Sequence, residues 1–295
     1  MGFYQSLGFI SCASMVSFKN IDNYEDVGMT QELKPDYSAL DRPEVSMFLF
    51  HPRAEMTSLD RPNAGLDILI PVADEIHVGA RFHVQDRRCA NILFFHGNGE
   101  IVSDYDDLGP LYNQLGINFL PVDYRGYGRS NGQPTVSTMM ADSHKIFAYV
   151  QDWLLKNQHE GPLIAMGRSL GSASAIELAA AYSSEIHGLI IESGFALAAP
   201  LLLLLGIDPQ AIGFKEDDGF KNLEKIKRFV NPTLIIHAEF DHIIPYTDGQ
   251  ALYNASPATQ KELIKVESAN HNDIFFKGRQ IYMQAIRNLV EILSS

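Results

Sequence analysis

Gly167 and Gly171 stand two residues on either side of Ser169, in the stretch Gly167-Arg168-Ser169-Leu170-Gly171. The apolar run Pro162-Leu163-Ile164-Ala165-Met166 precedes it, and an alanine-rich run over residues 172–181 follows. A buried strand, a sharp turn and a helix in that order leave no room for side chains two before and two after the apex. Both positions therefore need glycine, and the arrangement is that of a nucleophile elbow. Such a turn lifts the Ser169 hydroxyl out of a sheet and aims the free N–H groups of the next helix at the same point. A pattern this short recurs by chance, so its meaning rests on what surrounds it.

The surroundings supply a sheet. Strands are predicted over residues 46–51, 66–72 and 75–83, and then over 91–95, 117–122, 163–166, 188–191, 233–237 and 261–266. Helices are predicted between them, over residues 106–115 and 136–155, with a last one over 279–293. The middle strands are apolar throughout, as parallel strands buried on two faces should be. The expected class is α/β, with a mostly parallel central sheet and helices on both faces. At 295 residues and 46% hydrophobic content, one large domain with an extra lobe fits better than two independent domains. Residues 1–43 show little periodicity and read as an N-terminal arm, leaving 44–295 as the domain.

About 40 residues separate the strands at 188–191 and 233–237, more than a simple crossover needs. Residues 220–228 are the expected crossover helix, and an insertion over about 195–219 reads as a small helical cap. The cap contains Leu201, Leu202, Leu203, Leu204 and Leu205. These five are candidates for an apolar acyl pocket beside Ser169, or for the packing of the cap itself.

Chemistry in a parallel sheet belongs at the carboxyl ends of the strands, which sorts the polar residues. The strand at 91–95 runs into His96-Gly97-Asn98-Gly99-Glu100, whose glycines let backbone N–H groups approach a ligand. The N–H of Asn98 and that of Leu170, just after Ser169, are the candidate pair for an oxyanion hole. The next strand ends in Asp123-Tyr124-Arg125-Gly126-Tyr127-Gly128, where an Asp123–Arg125 ion pair could clamp the loop. A serine needs a base, and the base needs an acid to orient it, in the chain order serine, carboxylate, histidine. Asp241 lies in the loop after the strand at 233–237, shortly before Pro245, which suits a helix start; Glu239 reads as a solvated loop charge. Of ten histidines, His271 alone falls between the last strand and the last helix. Ser169, Asp241 and His271 are thus the candidate catalytic residues.

The formal net charge of −13 and a pI near 5.1 argue against nucleic acid or an anionic membrane surface as partner. Two cysteines, Cys12 and Cys89, make no disulfide framework, so a reducing, cytoplasmic setting is expected. No apolar run approaches the roughly 20 residues of a transmembrane helix. Met1-Gly2-Phe3-Tyr4-Gln5-Ser6 formally matches an N-myristoylation signal near Cys12, although an irregular arm is the plainer reading.

The set His96-Gly97-Asn98-Gly99, Asp123 to Gly128, Gly167 to Gly171, Asp241 before Pro245 and His271 resembles the α/β-hydrolases. Within them it is most similar to the group holding acyl-protein depalmitoylases and related bacterial esterases. The resemblance covers roughly residues 45–295. It implies the α/β-hydrolase fold with Ser169 as nucleophile, Asp241 as acid and His271 as base, and does not specify the substrate; a carboxylic ester or thioester is the bond expected to be cleaved. One departure is that the depalmitoylating members have a cysteine-rich N-terminus, whereas Cys12 is the sole cysteine of residues 1–43. The expected activity is a serine hydrolase acting on a small-molecule or acyl substrate without metal or cofactor. Amide or peptide hydrolysis by the same triad, and a non-catalytic binding protein on the same fold, are the rival expectations.

Overall fold

Neighbouring residues along the central strands send their side chains into two different cores. Leu93 and Phe95 face one, with Leu120, Val122 and Ile191; Ile92 and Phe94 face the other, with Phe119, Met166 and Ile236. That alternation is the period of two of a strand covered on both sides. The computed structural model describes residues 35–56 and 65–294. The myristoylation pattern and Cys12 fall outside the described residues.

The strands are β1 (Leu66–Ala73), β2 (Ile76–Phe82), β3 (Ala90–Phe95), β4 (Ile117–Val122), β5 (Leu163–Arg168), β6 (Gly188–Glu192), β7 (Thr233–Ala238) and β8 (Lys261–Val266). They form one sheet in the order β1-β2-β4-β3-β5-β6-β7-β8. Strand β2 runs antiparallel to β1 and to β4, and the pairs from β4 to β8 are parallel. The chain order doubles back between β3 and β4, so loops after β3 and β5 emerge side by side at one end of the sheet. Ligand sites belong in such a place.

The helices are α1 (Pro43–Leu49), α2 (Gly109–Gln114), α3 (Val136–Lys156), α4 (Ser172–Ala181), α5 (Ala198–Leu204), α6 (Asn222–Ile226), α7 (Tyr246–Ala255) and α8 (Ile274–Ser294). The first corrects the strand expected over residues 46–51. Pro43 sits in the first turn, where its missing N–H costs nothing, and Val45 and Leu49 are buried one turn apart. A short apolar run supports strand and helix alike, and the proline decides it. Tyr37 and Leu40 are buried in the same core, so the compact unit extends back to Pro35 instead of starting near residue 44. Among the described residues no helix is long and apolar enough to cross a membrane.

One half-buried polar cluster ties three helices together. Glu177 on α4 meets Lys225 of α6 and His144 of α3, whose Nε2 lies 3.2 Å from Glu177 Oε1. Burial pushes the Glu177 carboxyl up, but His144 and Lys225 outweigh it and bring it from an ordinary 4.5 down to about 2. The unfolded glutamate therefore takes up its proton first as pH falls. The stability this group contributes is complete above about 4.5 and is lost towards about 2. Glu177→Gln is expected to lower Tm at neutral pH and to flatten the fall of Tm across that acid interval. Thermal melts of both proteins through the interval measure it; equal slopes would remove Glu177 from the acid limb.

Candidate active site

The turn after β5 has the geometry its sequence demands. Ser169 holds a φ of +52°, a left-handed conformation that costs a non-glycine residue about 1–3 kcal/mol. A Cβ on Gly167 would lie 2.3 Å from the Gly171 carbonyl oxygen, and one on Gly171 would lie 2.2 Å from that of Phe95. Both contacts are with backbone that cannot swing aside, so neither glycine can be replaced without moving the turn. Ser172 Oγ donates to the Ser169 carbonyl at 2.6 Å and closes the turn from the other side.

Two further loops bring their side chains to this point. His271, in the loop between β8 and α8, places Nε2 3.0 Å from Ser169 Oγ and Nδ1 2.7 Å from Asp241 Oδ2. Asp241, after β7, also accepts from the N–H groups of Ile243 and Ile244 through Oδ1, at 3.0 and 2.8 Å. Burial pushes its carboxyl up, yet the hydrogen bond and charge of His271 and those two N–H groups hold it below the ordinary carboxylate range. An ionised Asp241 only accepts, which assigns the His271 proton to Nδ1 and leaves Nε2 free to accept from Ser169. All three residues are at least nine-tenths buried. His237, at the end of β7, lies 3.7 Å from Asp241, but its Nε2 is 2.8 Å from the Ile244 carbonyl. Burial pushes its pKa down, so it is a neutral neighbour that supports the Asp241 loop.

The loop after β3 lies against the serine: a Cβ on Gly97 would be 3.4 Å from that of Ser169. Asn98 is pinned by its side chain, whose Oδ1 accepts from the His51 N–H at 2.8 Å and the Tyr127 hydroxyl at 2.7 Å. Its own N–H is left without an acceptor among the described residues. Leu170 begins the first turn after Ser169, where a helix offers its N–H no internal partner. Asn98 and Leu170 line the same cavity as Ser169. The Asp123–Arg125 ion pair expected nearby does not form. Asp123 is fully buried, facing His96 Nε2 at 3.2 Å and accepting from the Val102 N–H, while Arg125 reaches α3 and forks onto Asp142 at 2.6 and 2.7 Å. Both still fix their loops, with different partners.

Above Ser169 lies a cavity of about 250 Å³ whose apolar wall includes Phe48, Leu49, Leu170, Leu201, Leu205 and Ile243. Only two of the five cap leucines reach it. Leu201 and Leu205 are one helical turn apart on α5 and its end, Leu202 is packed into the core, and Leu203 and Leu204 are 61% and 54% exposed. Helical spacing makes that division, because residues four apart share a face and those between them do not. Phe48 and Leu49 come from α1, so misreading that segment as a strand hides a wall of the cavity. Among the described residues no cluster of three or more His, Cys, Asp or Glu could hold a metal ion.

Residues 86–207 match the family model described as serine aminopeptidase, S33. The chain is 31% identical over 210 residues to alpha/beta hydrolase domain-containing protein 17B of Homo sapiens, covering 68% of this chain and 65% of that one. It is 30% identical over 217 residues to alpha/beta hydrolase domain-containing protein 17C of Mus musculus, covering 70% of this chain and 62% of the relative. The matched region thus spans a little under two thirds of the curated relatives. Among solved structures, the esterase Pf2001 of Pyrococcus furiosus superposes with a TM-score of 0.65 at 16% identity, over 83% of this chain and 99% of its own. Est1E of Butyrivibrio proteoclasticus, with ferulic acid bound, superposes with a TM-score of 0.63 at 20% identity, over 77% and 98%. At such identities these structures speak to the fold alone.

Proposed function

Because this chain belongs to the α/β-hydrolase superfamily, we propose that it is a serine hydrolase cleaving a carboxylic ester or thioester through an acyl-enzyme. The observation behind the reading is the continuous chain Asp241–His271–Ser169, at 2.7 and 3.0 Å, beneath an apolar cavity. Ser169 Oγ attacks the acyl carbon as its proton passes to His271 Nε2, and Asp241 stabilises the imidazolium. The carbonyl oxygen becomes an oxyanion held by the Asn98 and Leu170 N–H groups. His271 then returns the proton to the departing alcohol or thiol, which leaves Ser169 acylated. Water, deprotonated by His271, attacks the ester and releases the acid.

The wall of the cavity favours this bond type over removal of an N-terminal amino acid. A substrate ammonium calls for an anionic partner, and Glu100 is the carboxylate among the described residues that line the cavity. Both its oxygens already face donors of the protein: Oε1 faces the Arg168 guanidinium at 3.0 Å, which offsets its charge, and Oε2 accepts from the Gly97 N–H and the Tyr105 hydroxyl, each at 2.6 Å. A matched series of acyl esters, acyl thioesters and aminoacyl amides tests the reading. Each methylene buried in the apolar wall contributes about 0.8 kcal/mol, so kcat/KM should rise about fourfold per carbon until the cavity is filled. Cleavage of the amides alone would replace the proposal with an amidase. Failure to label Ser169 with a fluorophosphonate would replace it with a binding protein.

A further inference from the structure

Arg168 is the residue before the nucleophile, and it borders both the cavity over Ser169 and a second cavity lined by Tyr105, Tyr112 and Tyr282. It lies almost wholly buried, at 8% exposure. A guanidinium is taken out of water at large cost unless its neighbours are charged and well placed. Its neighbours come from two loops that build the site and from the end of β6. Nη2 donates to the carbonyl oxygen of His271 at 3.0 Å, Nε faces Glu100 Oε1 at 3.0 Å, and Glu192 Oε1, at the end of β6, lies 3.5 Å from Nε. Glu100 turns its other oxygen to the Gly97 N–H, one residue before Asn98, and to the Tyr105 hydroxyl. Glu192 is anchored in turn by the Tyr282 hydroxyl of α8 at 2.5 Å.

One planar fork thus connects the strand bearing Ser169, the backbone of His271 and, through Glu100, the loop bearing the candidate oxyanion donor. None of these groups touches the reacting atoms. We propose that Arg168 and Glu100 are positioning residues, a clamp that sets the His271–Ser169 distance and the direction of the Asn98 N–H together. The inference rests on the reading of Ser169, His271 and Asn98 given above. A misplacement of about 1 Å at such a centre lowers rate by roughly a hundredfold, which gives the size of effect to look for. Lysine keeps the charge of Arg168 but presents a single point, where the fork donates to the His271 carbonyl from Nη2 while Nε faces Glu100. Glutamine keeps the shape of Glu100 and one acceptor oxygen, but loses the charge facing Arg168 and must turn an N–H₂ toward Arg168 or toward Gly97 and Tyr105.

The test is steady-state hydrolysis of a short acyl ester by the full chain carrying Arg168→Lys or Glu100→Gln, with fluorophosphonate titration to count competent sites and thermal melts to establish folding. The expected result is a fall in kcat per titrated site of about a hundredfold for Arg168→Lys and about tenfold for Glu100→Gln, with KM changed less than about threefold. Arg168→Ala offers a second readout. The cavity of about 210 Å³ that Arg168 lines with Tyr105, Tyr112 and Tyr282 gives space for added guanidinium, which should restore kcat at least tenfold. Wild-type kcat per site in both variants would overturn the proposal, as would a raised KM at unchanged kcat, which marks a substrate contact. Two variants that both fail to fold would assign the pair to stability and overturn it equally. If the wild-type chain itself neither labels nor hydrolyses, the fault lies with the serine hydrolase reading and not with the clamp.

Discussion

Ser169→Ala is expected to lower kcat by about a million-fold while leaving the fold and the melting temperature close to wild type. The magnitude follows from what is removed. Ser169 supplies the oxygen that forms the acyl-enzyme, and the neighbouring side chains have no second hydroxyl to offer at the same place. Ser172, the nearest in sequence, spends its Oγ on the Ser169 carbonyl at 2.6 Å and is fully buried. What survives is the pull of the Asn98 and Leu170 N–H groups on a carbonyl attacked directly by water, which supports a residual acceleration of about a thousand- to ten-thousand-fold over solution. The loss should therefore appear in kcat, with substrate still bound by Phe48, Leu201, Leu205 and Ile243. Replacing the hydroxyl by hydrogen at a φ of +52° does not relieve the turn, because alanine carries the same Cβ. The measurement is single-turnover hydrolysis of an acyl thioester by the purified variant, beside fluorophosphonate labelling. A kcat within a hundredfold of wild type would remove Ser169 from the reaction and direct attention to another nucleophile in the cavity.

The parallel body of the fold is legible in the sequence wherever a strand is apolar on both faces. The strand expected over residues 117–122 is β4 (Ile117–Val122), and that over 188–191 lies within β6 (Gly188–Glu192), both buried throughout. The meeting of Ser169, Asp241 and His271 is legible for a related reason: in a parallel sheet, loops that follow strands share one end, so chain position alone narrows ten histidines to one. What is hidden depends on partners far apart in the chain. Whether residues 43–49 form helix or strand turns on Pro43 and on the core that Val45 and Leu49 meet. Leu201 and Leu205 separate from Leu202, Leu203 and Leu204 only once α5 has a direction. The Arg168–Glu100–Glu192 cluster joins positions up to 92 apart (192 less 100), and each charge by itself looks like ordinary surface polarity. Burial of a charge cannot be read from its own neighbours in sequence, because the opposite charge that makes burial tolerable arrives through the fold.

Asp241→Asn should lower kcat about ten-thousand-fold, and for a reason finer than loss of charge. In wild type, Oδ1 of Asp241 accepts from the Ile243 and Ile244 N–H groups, and Oδ2 accepts from His271 Nδ1 at 2.7 Å. An asparagine has one acceptor oxygen, and two backbone donors compete for it. Satisfying them turns the N–H₂ group toward His271. Nδ1 must then accept, which moves the imidazole proton to Nε2, facing Ser169 Oγ 3.0 Å away. A protonated Nε2 cannot take the serine proton, so the base is present, correctly placed and in the wrong tautomer. The opposite rotamer keeps the tautomer but sets an N–H₂ against two N–H groups in a buried pocket, at a cost of about 1–3 kcal/mol for each donor left unpaired. Energy therefore selects the inactive arrangement. The variant should melt near wild type, bind substrate with KM altered less than about threefold, and label slowly with fluorophosphonate, in proportion to kcat. Asp241→Glu, which keeps a carboxylate but cannot place both oxygens, should fall between the two. A tenfold loss or less for Asp241→Asn at neutral pH would show that the His271 tautomer is set elsewhere, with His237, 3.7 Å from the Asp241 carboxylate, the first residue to examine.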